Sequence, residues 1–396
     1  YGDSFDEVFA PVARTTTLRA LLTIAGQKKM IVKHYDVQSA YLNANLSHEV
    51  YMKQPAPFGN NDLVCKLSKN LYGLKQGANE WNKKLHEILS NQSYNKSEND
   101  PCLYFKRDNK KLIYLSIHVD DLIVATTDLS MIEEFEHQMN KVLVLKDLGN
   151  LKYYLGIQFQ RDQDGIFLLN QQKYIDSKLQ EFNLTDSRPS SIPIDTGYQK
   201  RQEPQECFEN KEVYRSAIGS LLYLSTNTRP DIAVGTSILA RHVSDPKKSD
   251  WTEVKRIFRY LNDTKQKQLK LGYLSEQHAT QLIGYADADW GGDLNDRKSN
   301  TGFCFKYLGS PISWVSRKQT MVTLSSTEAE YIALVEAVQE ALWILRILKD
   351  LDQELKKPVI IYEDNQSCIR ILQNDRCSQR TKHIDTKYHF IRNLYR

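Results

Sequence analysis

The sequence predicts a multidomain chain of mixed α+β and α/β architecture. Three observations carry that prediction. At 396 residues the chain exceeds what a single hydrophobic core sustains. Short β-rich runs alternate with amphipathic helical stretches through its first part. Nearer its end, strands that finish in acidic residues alternate with one long helix.

In chain order, Val12 to Ala25 has helical apolar spacing, Lys29 to Asp36 reads as a strand and Trp81 to Leu89 as a second helix. Leu112 to Ile117 and Leu122 to Ala125 are apolar runs on either side of His118-Val119-Asp120-Asp121, the pattern of a β-hairpin. Asp186 to Glu212 is polar and carries Pro189, Pro193 and Pro204, the composition of a linker or an irregular excursion. Val213 to Asp263 turns helical. Leu282 to Ala286, Thr301 to Tyr307, Ile312 to Val315 and Val359 to Tyr362 read as strands, and Thr327 to Leu351 as one long helix. The closing stretch, Lys382 to Arg396, is basic and helical in pattern. Texture therefore divides the chain into residues 1–185, 186–277 and 278–396.

Composition excludes little. A net charge of +4 and a pI near 8.5 suit a nucleic-acid partner without requiring one. Cys65, Cys102, Cys207, Cys304, Cys368 and Cys377 form no Cys-x-x-Cys spacing, so neither a zinc site nor a disulfide framework is indicated, and a reducing intracellular setting is expected. The most apolar run, Ala341 to Leu348, is short and interrupted by Arg346, so no membrane partner is expected. The first residue is Tyr1, which reads as a piece of a longer open reading frame.

The adjacent acids Asp120 and Asp121 repel each other at a hairpin tip, and a hard divalent cation is one reason to place them there. A polar turn is the plainer reading of an isolated pair. Asp36 closes another strand-like run, and three carboxylates from neighbouring strands suit two-metal phosphoryl transfer. Leu71 to Gly77 supplies glycines that let backbone approach a ligand. Tyr41 alone reads as core and Gln76 alone as a turn cap.

In this order the segments resemble the reverse transcriptase of copia-type LTR retrotransposons. The resemblance is carried by Phe9-Ala10-Pro11-Val12-Ala13-Arg14, Asp36 to Leu42, Glu49-Val50-Tyr51-Met52, Leu71-Tyr72-Gly73-Leu74-Lys75-Gln76, Val119-Asp120-Asp121, Lys146-Asp147-Leu148-Gly149 and Tyr154-Leu155-Gly156-Ile157. It implies metal ligation by Asp36, Asp120 and Asp121, a steric gate against a 2′-hydroxyl at Tyr41, a nucleotide contact at Gln76 and a primer grip at Leu155 and Gly156.

The last region resembles the RNase H domain of the same elements, through Tyr285-Ala286-Asp287-Ala288-Asp289-Trp290, Ser325 to Tyr331, Glu363-Asp364-Asn365-Gln366 and Lys382-His383-Ile384-Asp385. That resemblance assigns its metal ligands as Asp287, Glu330, Asp364 and Asp385. Asp287 is preferred to Asp289 as the residue ending its strand, and Glu330 to Glu328 because it precedes the apolar Tyr-Ile-Ala face. Asp289 and Glu328 are then solvated or capping. Mutual repulsion among these acids is expected to raise at least one carboxyl pKa. His383, Arg380, Lys382, Lys387 and Arg392 fit a phosphate-facing patch or, equally, a solvated basic face. Tyr214 to Leu224 and Thr228 to Ala233 also match the family, and Lys255, Arg256 and Arg259 are candidates to track a nucleic-acid backbone.

The resemblance implies a palm with partial fingers over 1–185, a linker and thumb or connection over 186–277, and an RNase H-like mixed-sheet domain over 278–396. It implies an RNA-directed DNA polymerase with RNase H activity and two Mg²⁺ per active site, Mn²⁺ being the alternative. The implied partners are an RNA template, a DNA primer, the RNA–DNA hybrid, dNTPs and the other Pol and Gag products of the parent element. The implied setting is a cytoplasmic virus-like particle with nuclear access. Family members carry a basic fingers segment upstream of the position of Tyr1, so part of the triphosphate site is expected to lie outside this sequence. His118 stands where an aromatic residue is usual, and Gly77-Ala78-Asn79-Glu80 replaces a more frequent Ala-Pro-Arg-x; neither touches a carboxylate. The rivals are a decayed or domesticated copy that only binds nucleic acid, which the intact acids oppose, and an enzyme with hybrid cleavage alone.

Overall fold

The computed structural model describes residues 8–56, 58, 63–109, 111–198, 206–273, 281–355, 357–373, 391 and 394. The chain forms a mixed helix-and-sheet protein that groups into two compact units, residues 1–151 with 346–353, and residues 152–345 with 354–396.

The first unit runs α1 (Thr15–Gln27), β1 (Ile31–Val37), a 3-10 turn (Ala40–Asn43), β2 (Tyr51–Lys53), β3 (Val64–Lys66), α2 (Gly77–Asn91), β4 (Asn95–Lys96), β5 (Leu103–Asp108), β6 (Lys111–His118), β7 (Asp121–Thr126), α3 (Leu129–Asn140) and β8 (Leu145–Asn150). Six strands form one sheet in the order β4-β5-β6-β7-β1-β8. Tyr35 and Val37 of β1, Ile113, Leu115 and Ile117 of β6, and Leu122 and Val124 of β7 share a core with Trp81, Leu85 and Ile88 of α2 and Met131, Ile132 and Phe135 of α3. Because strand residues alternate faces, His34 and Asp36 of β1 and Asp121 of β7 lie on the opposite face of the sheet. Residues 346–353 complete this unit. There Asp350 accepts from Ser97 at 2.5 Å and Asn99 at 3.0 Å, Tyr114 donates to the Leu351 carbonyl at 2.9 Å, and Arg107 pairs with Asp352.

The second unit opens with β9 (Tyr153–Tyr154), β10 (Ile157–Arg161), β11 (Phe167–Asn170) and α4 (Gln172–Glu181). The helices α5 (Lys211–Asn227), α6 (Ala233–Ala240) and α7 (Lys248–Asp263) follow, then β12 (Leu269–Leu271), which pairs with β11. Helices α4 to α7 close on a core that includes Ile175, Tyr214, Leu221, Leu239, Ile257 and Phe258. The proline-bearing stretch before α5 is an ordered excursion where it is described: Tyr198 is buried and donates to Asp250. The rest of the unit is β13 (Leu282–Asp289), β14 (Asn300–Tyr307), β15 (Ser310–Lys318), α8 (Ser326–Asp350), β16 (Ile360–Tyr362) and α9 (Gln366–Gln373). These strands form a sheet in the order β15-β14-β13-β16, with β16 parallel to β13 and the other pairings antiparallel.

The predicted elements recur with shifted ends. Strand β13 corrects the expectation that Asp287 ends its strand: the ladder with β14 continues through Asp287↔Gly302 to Asp289↔Asn300. The closing stretch 382–396, apart from 391 and 394, lies outside the described residues.

Candidate active sites

The first candidate site is built by strand register. Asp36 on β1 pairs directly with Asp121 on β7. His118 pairs with Asp121 across the β6–β7 hairpin, which leaves Val119 and Asp120 as a two-residue turn. Such a turn needs a left-handed backbone, and here the branched Val119 takes it, at φ 61°. Two hydrogen bonds hold that strained tip. The buried indole of Trp81 donates to the Val119 carbonyl at 2.7 Å, and the Val37 backbone N–H donates to the Asp120 carbonyl at 2.9 Å. Strain stored at one residue and fixed from two sides is a common mark of a site that needs a fixed geometry.

Electrostatics follow from that convergence. Burial, reinforced by the carboxylates of Asp120 and Asp121, pushes the Asp36 pKa up, while Lys146 and His34 pull it down. Lys146 is the register partner of Asp36 on β8. Its neighbour Asp147 faces another task, accepting from Lys33 at 2.8 Å and from the Gly149 backbone at 2.7 Å. His34 Nε2 lies 2.8 Å from Asp121 Oδ1. The Tyr72 hydroxyl donates to Asp120 Oδ2 at 3.3 Å.

The expected nucleotide contacts separate. Tyr41, in the 3-10 turn after β1, is half-buried and stacks on Tyr72 with ring centroids 4.3 Å apart. Gln76 is only 4% exposed at the start of α2. In this loop it is Tyr72, four residues earlier, whose side chain reaches an acid of the site. Gly77 lies in close approach to Asn70, which donates to its carbonyl at 2.8 Å, and a Cβ there would stand 3.1 Å from Asn70 Oδ1.

Leu155 and Gly156 belong to the second unit and form the two-residue turn between β9 and β10, both at positive φ (46° and 74°). The Tyr223 hydroxyl donates to the Leu155 carbonyl, and a Cβ on Gly156 would collide with that hydroxyl. This explains at once the Tyr-Leu-Gly-Ile segment and part of the helical segment that carries Tyr223.

The second candidate site gathers Asp287, Glu330 and Asp364, with one carboxylate oxygen from each lying within 4.8 Å of the others. The parallel pairing Tyr285↔Tyr362 carries Asp287 and Asp364 to the same end of the sheet. Ala288, Ala329 and Ala333 form a small cluster where β13 meets α8, so the helix approaches closely enough for Glu330 to join them. Burial, with the carboxylates of Glu363 and Asp287, pushes the Glu330 pKa up to about 8 against a backbone N–H at Ala288. Glu363 is pushed up to about 7 by burial and the carboxylates of Asp364 and Asp287. One buried oxygen of each, Glu330 Oε2 and Glu363 Oε2, has no hydrogen-bond partner. An all-oxygen donor set with orphaned buried carboxylate atoms fits a hard divalent cation.

Neighbouring acids have structural duties. Asp289 accepts from the Asn300 backbone. Glu328 is buried and accepts from the Leu324 backbone at 2.6 Å, while its own N–H donates to Ser325 Oγ at 3.2 Å, a capping arrangement at the head of α8. Asp385, His383, Arg380, Lys382, Lys387 and Arg392 lie outside the described residues. Of the candidate backbone-tracking cations, Arg256 is engaged with the fully buried Glu253 at 2.9 Å and with Asp195 at 3.7 Å. Arg229 in the Thr228 to Ala233 segment is 3% exposed and grips Asp231.

Sequence reasoning missed His34, Tyr72, Trp81 and Glu363. His34 was accessible from spacing, since it lies two residues before Asp36 and so on the same strand face. Glu363 adjoins Asp364. Tyr72 and Trp81 meet the turn only through tertiary packing.

Residues 1–196 match the family model described as reverse transcriptase (RNA-dependent DNA polymerase). Over 99% of its length the chain is 39% identical to the retrovirus-related Pol polyprotein from transposon TNT 1-94 of Nicotiana tabacum, of which it covers 30%. It is 33% identical, again over 99% of its length, to the retrovirus-related Pol polyprotein from transposon RE2 of Arabidopsis thaliana, of which it covers 27%. An uncharacterized mitochondrial protein of Arabidopsis thaliana is 32% identical over 58% of this chain and 94% of that protein. The chain thus spans less than a third of the two Pol polyproteins.

Proposed function

Because the chain belongs to the reverse transcriptase family of copia-type, retrovirus-related Pol polyproteins, we propose that it is the polymerase and hybrid-cleaving segment of a retrotransposon Pol polyprotein. The single observation that carries the polymerase half is the register Asp36↔Asp121 with Asp120 on the adjoining strained turn. In this reading residues 1–185 are palm with partial fingers, 186–277 the linker and thumb or connection, and 278–396 an RNase H-like domain.

Asp36, Asp120 and Asp121 would hold Mg²⁺ in the first site, and Asp287, Glu330 and Asp364 in the second, with Asp385 as a further ligand. Bound there, the cation supplies Lewis-acid stabilisation of charge on the transferring phosphoryl group. The chain's own residues do the rest. His34 and the Val37 N–H fix Asp121 and the Asp120 backbone in place before substrate arrives. Tyr41 borders the sugar of the incoming dNTP, Gln76 contacts that nucleotide, and the Leu155-Gly156 turn meets the primer. In the second site the cluster is supported by its small-residue junction with α8, and it acts on the RNA strand of an RNA–DNA hybrid. The template, the primer and the other Pol and Gag products of the parent element are the partners, in a cytoplasmic particle with nuclear access.

The test is a pair of assays on the whole chain with Mg²⁺: primer extension on poly(rA)/oligo(dT) and cleavage of a labelled RNA–DNA hybrid. Both activities are expected. Cleavage without extension sinks the polymerase half, and hybrid binding with neither activity leaves a nucleic-acid-binding remnant.

A further inference from the structure

Tyr72 bridges two parts of the first site, and its hydroxyl also receives the Tyr41 backbone N–H. Its ring stacks on Tyr41 at 4.3 Å between centroids and 25° between planes. Its hydroxyl donates to Asp120 Oδ2 at 3.3 Å. Yet Tyr72 is 49% exposed. A half-exposed aromatic is not held there by core packing, so its place is set by its contacts with Tyr41 and Asp120.

Backbone geometry aims it. Gly73, directly after Tyr72, sits at φ 98° with open space where a side chain would stand. Asn70, fully buried, receives the Leu71 N–H on Oδ1 at 2.9 Å and donates to the Gly77 carbonyl at 2.8 Å. The loop is therefore pinned at both ends and turns at Gly73, which presents Tyr72 outward against Tyr41. Tyr41 in turn rides on a short 3-10 turn entered through Ser39 in the left-handed region. One face of Tyr41 packs against the sheet core. Among the described residues, Tyr72 is the ring that stacks on Tyr41.

We propose that Tyr72 is a specificity-positioning residue: it clamps Tyr41 in the orientation that excludes a ribonucleotide and ties that orientation to the metal-side carboxylate Asp120. This deepens the polymerase reading and rests on it. A ring used to reject one hydroxyl group must not yield when that group arrives, and selectivity then depends on how firmly the ring is held. A stacked partner supplies the stiffness, and the bond to Asp120 sets its register relative to the chemistry. The stack and the hydroxyl's bonds are separable by substitution. Tyr72→Phe keeps the stack and deletes the hydroxyl's bonds to Asp120 and the Tyr41 backbone; Tyr72→Ala deletes all of them.

The experiment is single-nucleotide extension of a DNA primer on an RNA template by the full chain, comparing kcat/KM for dNTP and rNTP. Tyr72→Ala is expected to lower the dNTP-over-rNTP preference by about fivefold, the size of one aromatic stack. Tyr72→Phe is expected to hold that preference within about twofold while lowering kcat, as loss of one hydrogen bond to a charged group does. Tyr41→Ala is the control for the underlying gate. Three outcomes overturn the proposal in different ways. An unchanged preference in Tyr72→Ala, with Tyr41→Ala relaxed, rejects the role of Tyr72 alone. An unchanged preference in both rejects the gate. Absence of extension by the wild type rejects the polymerase reading and the proposal with it. A readout free of turnover is the ring resonance of Tyr41 in a tyrosine-labelled chain: it should move when Tyr72 becomes Ala, and a resonance that stays put refutes the clamp.

Discussion

The two acidic sites solve the same electrostatic problem in opposite ways. Around Asp36, Asp120 and Asp121 the protein brings its own compensation: Lys146 across the ladder from Asp36, His34 on Asp121, and the Tyr72 hydroxyl on Asp120. Around Asp287, Glu330 and Asp364 the acids are compressed with Glu363 beside them, and the counterweight at Glu330 is a backbone N–H and not a cation. The first site is a geometry assembled in advance. The second stores repulsion, released by a proton or by a divalent ion. Similar donor sets can thus be poised differently by their neighbours, and a list of carboxylates does not distinguish them.

The largest expected effect treats both alike. Asp120→Asn should cost primer extension, and Asp364→Asn hybrid cleavage, on the order of a thousandfold, as loss of about 4 kcal/mol of metal-held stabilisation gives. Each substitution should spare the other activity, and loss of both from either one breaks the separation. The next effect separates the sites. Glu330 and Glu363 have folded pKa values of about 8 and about 7, above the ordinary 4.5. The folded chain therefore binds more protons than the unfolded chain between these limits, and stability must fall as pH rises through that window. In a chelator, the unfolding temperature should drop as pH is raised from 5 to 9. Added Mg²⁺ should restore more of it at the higher pH, and Glu330→Gln should flatten the curve. A curve already flat in the wild type would refute stored repulsion.

Two smaller effects probe the supports. Arg241 pairs with the buried Asp293 at 3.3 Å and donates to Asn300 at 2.7 Å, beside the end of β13. Arg241→Ala leaves Asp293 to Lys318 and should cost about 2 kcal/mol in urea unfolding of the second unit. In the first unit, Trp81→Phe keeps the ring but strands the Val119 carbonyl, and should cost about 1 kcal/mol while lowering extension roughly tenfold through the loosened turn.

Much of this was legible from local pattern. The β6–β7 hairpin follows from apolar runs flanking two acids, and the long helix α8 from its periodicity. Asp287, Glu330 and Asp364, singled out by family resemblance, each place one carboxylate oxygen within 4.8 Å of the others among the described residues. What stayed hidden depends on contacts distant in sequence. Nothing local to Trp81 indicates that its indole will meet a carbonyl at position 119. The end of β13 was misplaced because Asp289, a poor strand former, is retained by the Asn300 backbone across the ladder. Residues 346–353 read simply as the end of a helix, and their membership of the first unit has no sequence signature.

That membership has a consequence for how the chain is made. The bonds from Ser97, Asn99 and Tyr114 to Asp350 and Leu351 complete the first unit, yet their acceptors are translated about 200 residues after that unit's last strand. At ribosomal rates the interval is on the order of ten seconds or more. Until then Ser97, Asn99 and Tyr114 lack the acceptors that Asp350 and Leu351 supply. The part synthesised first is the part completed late.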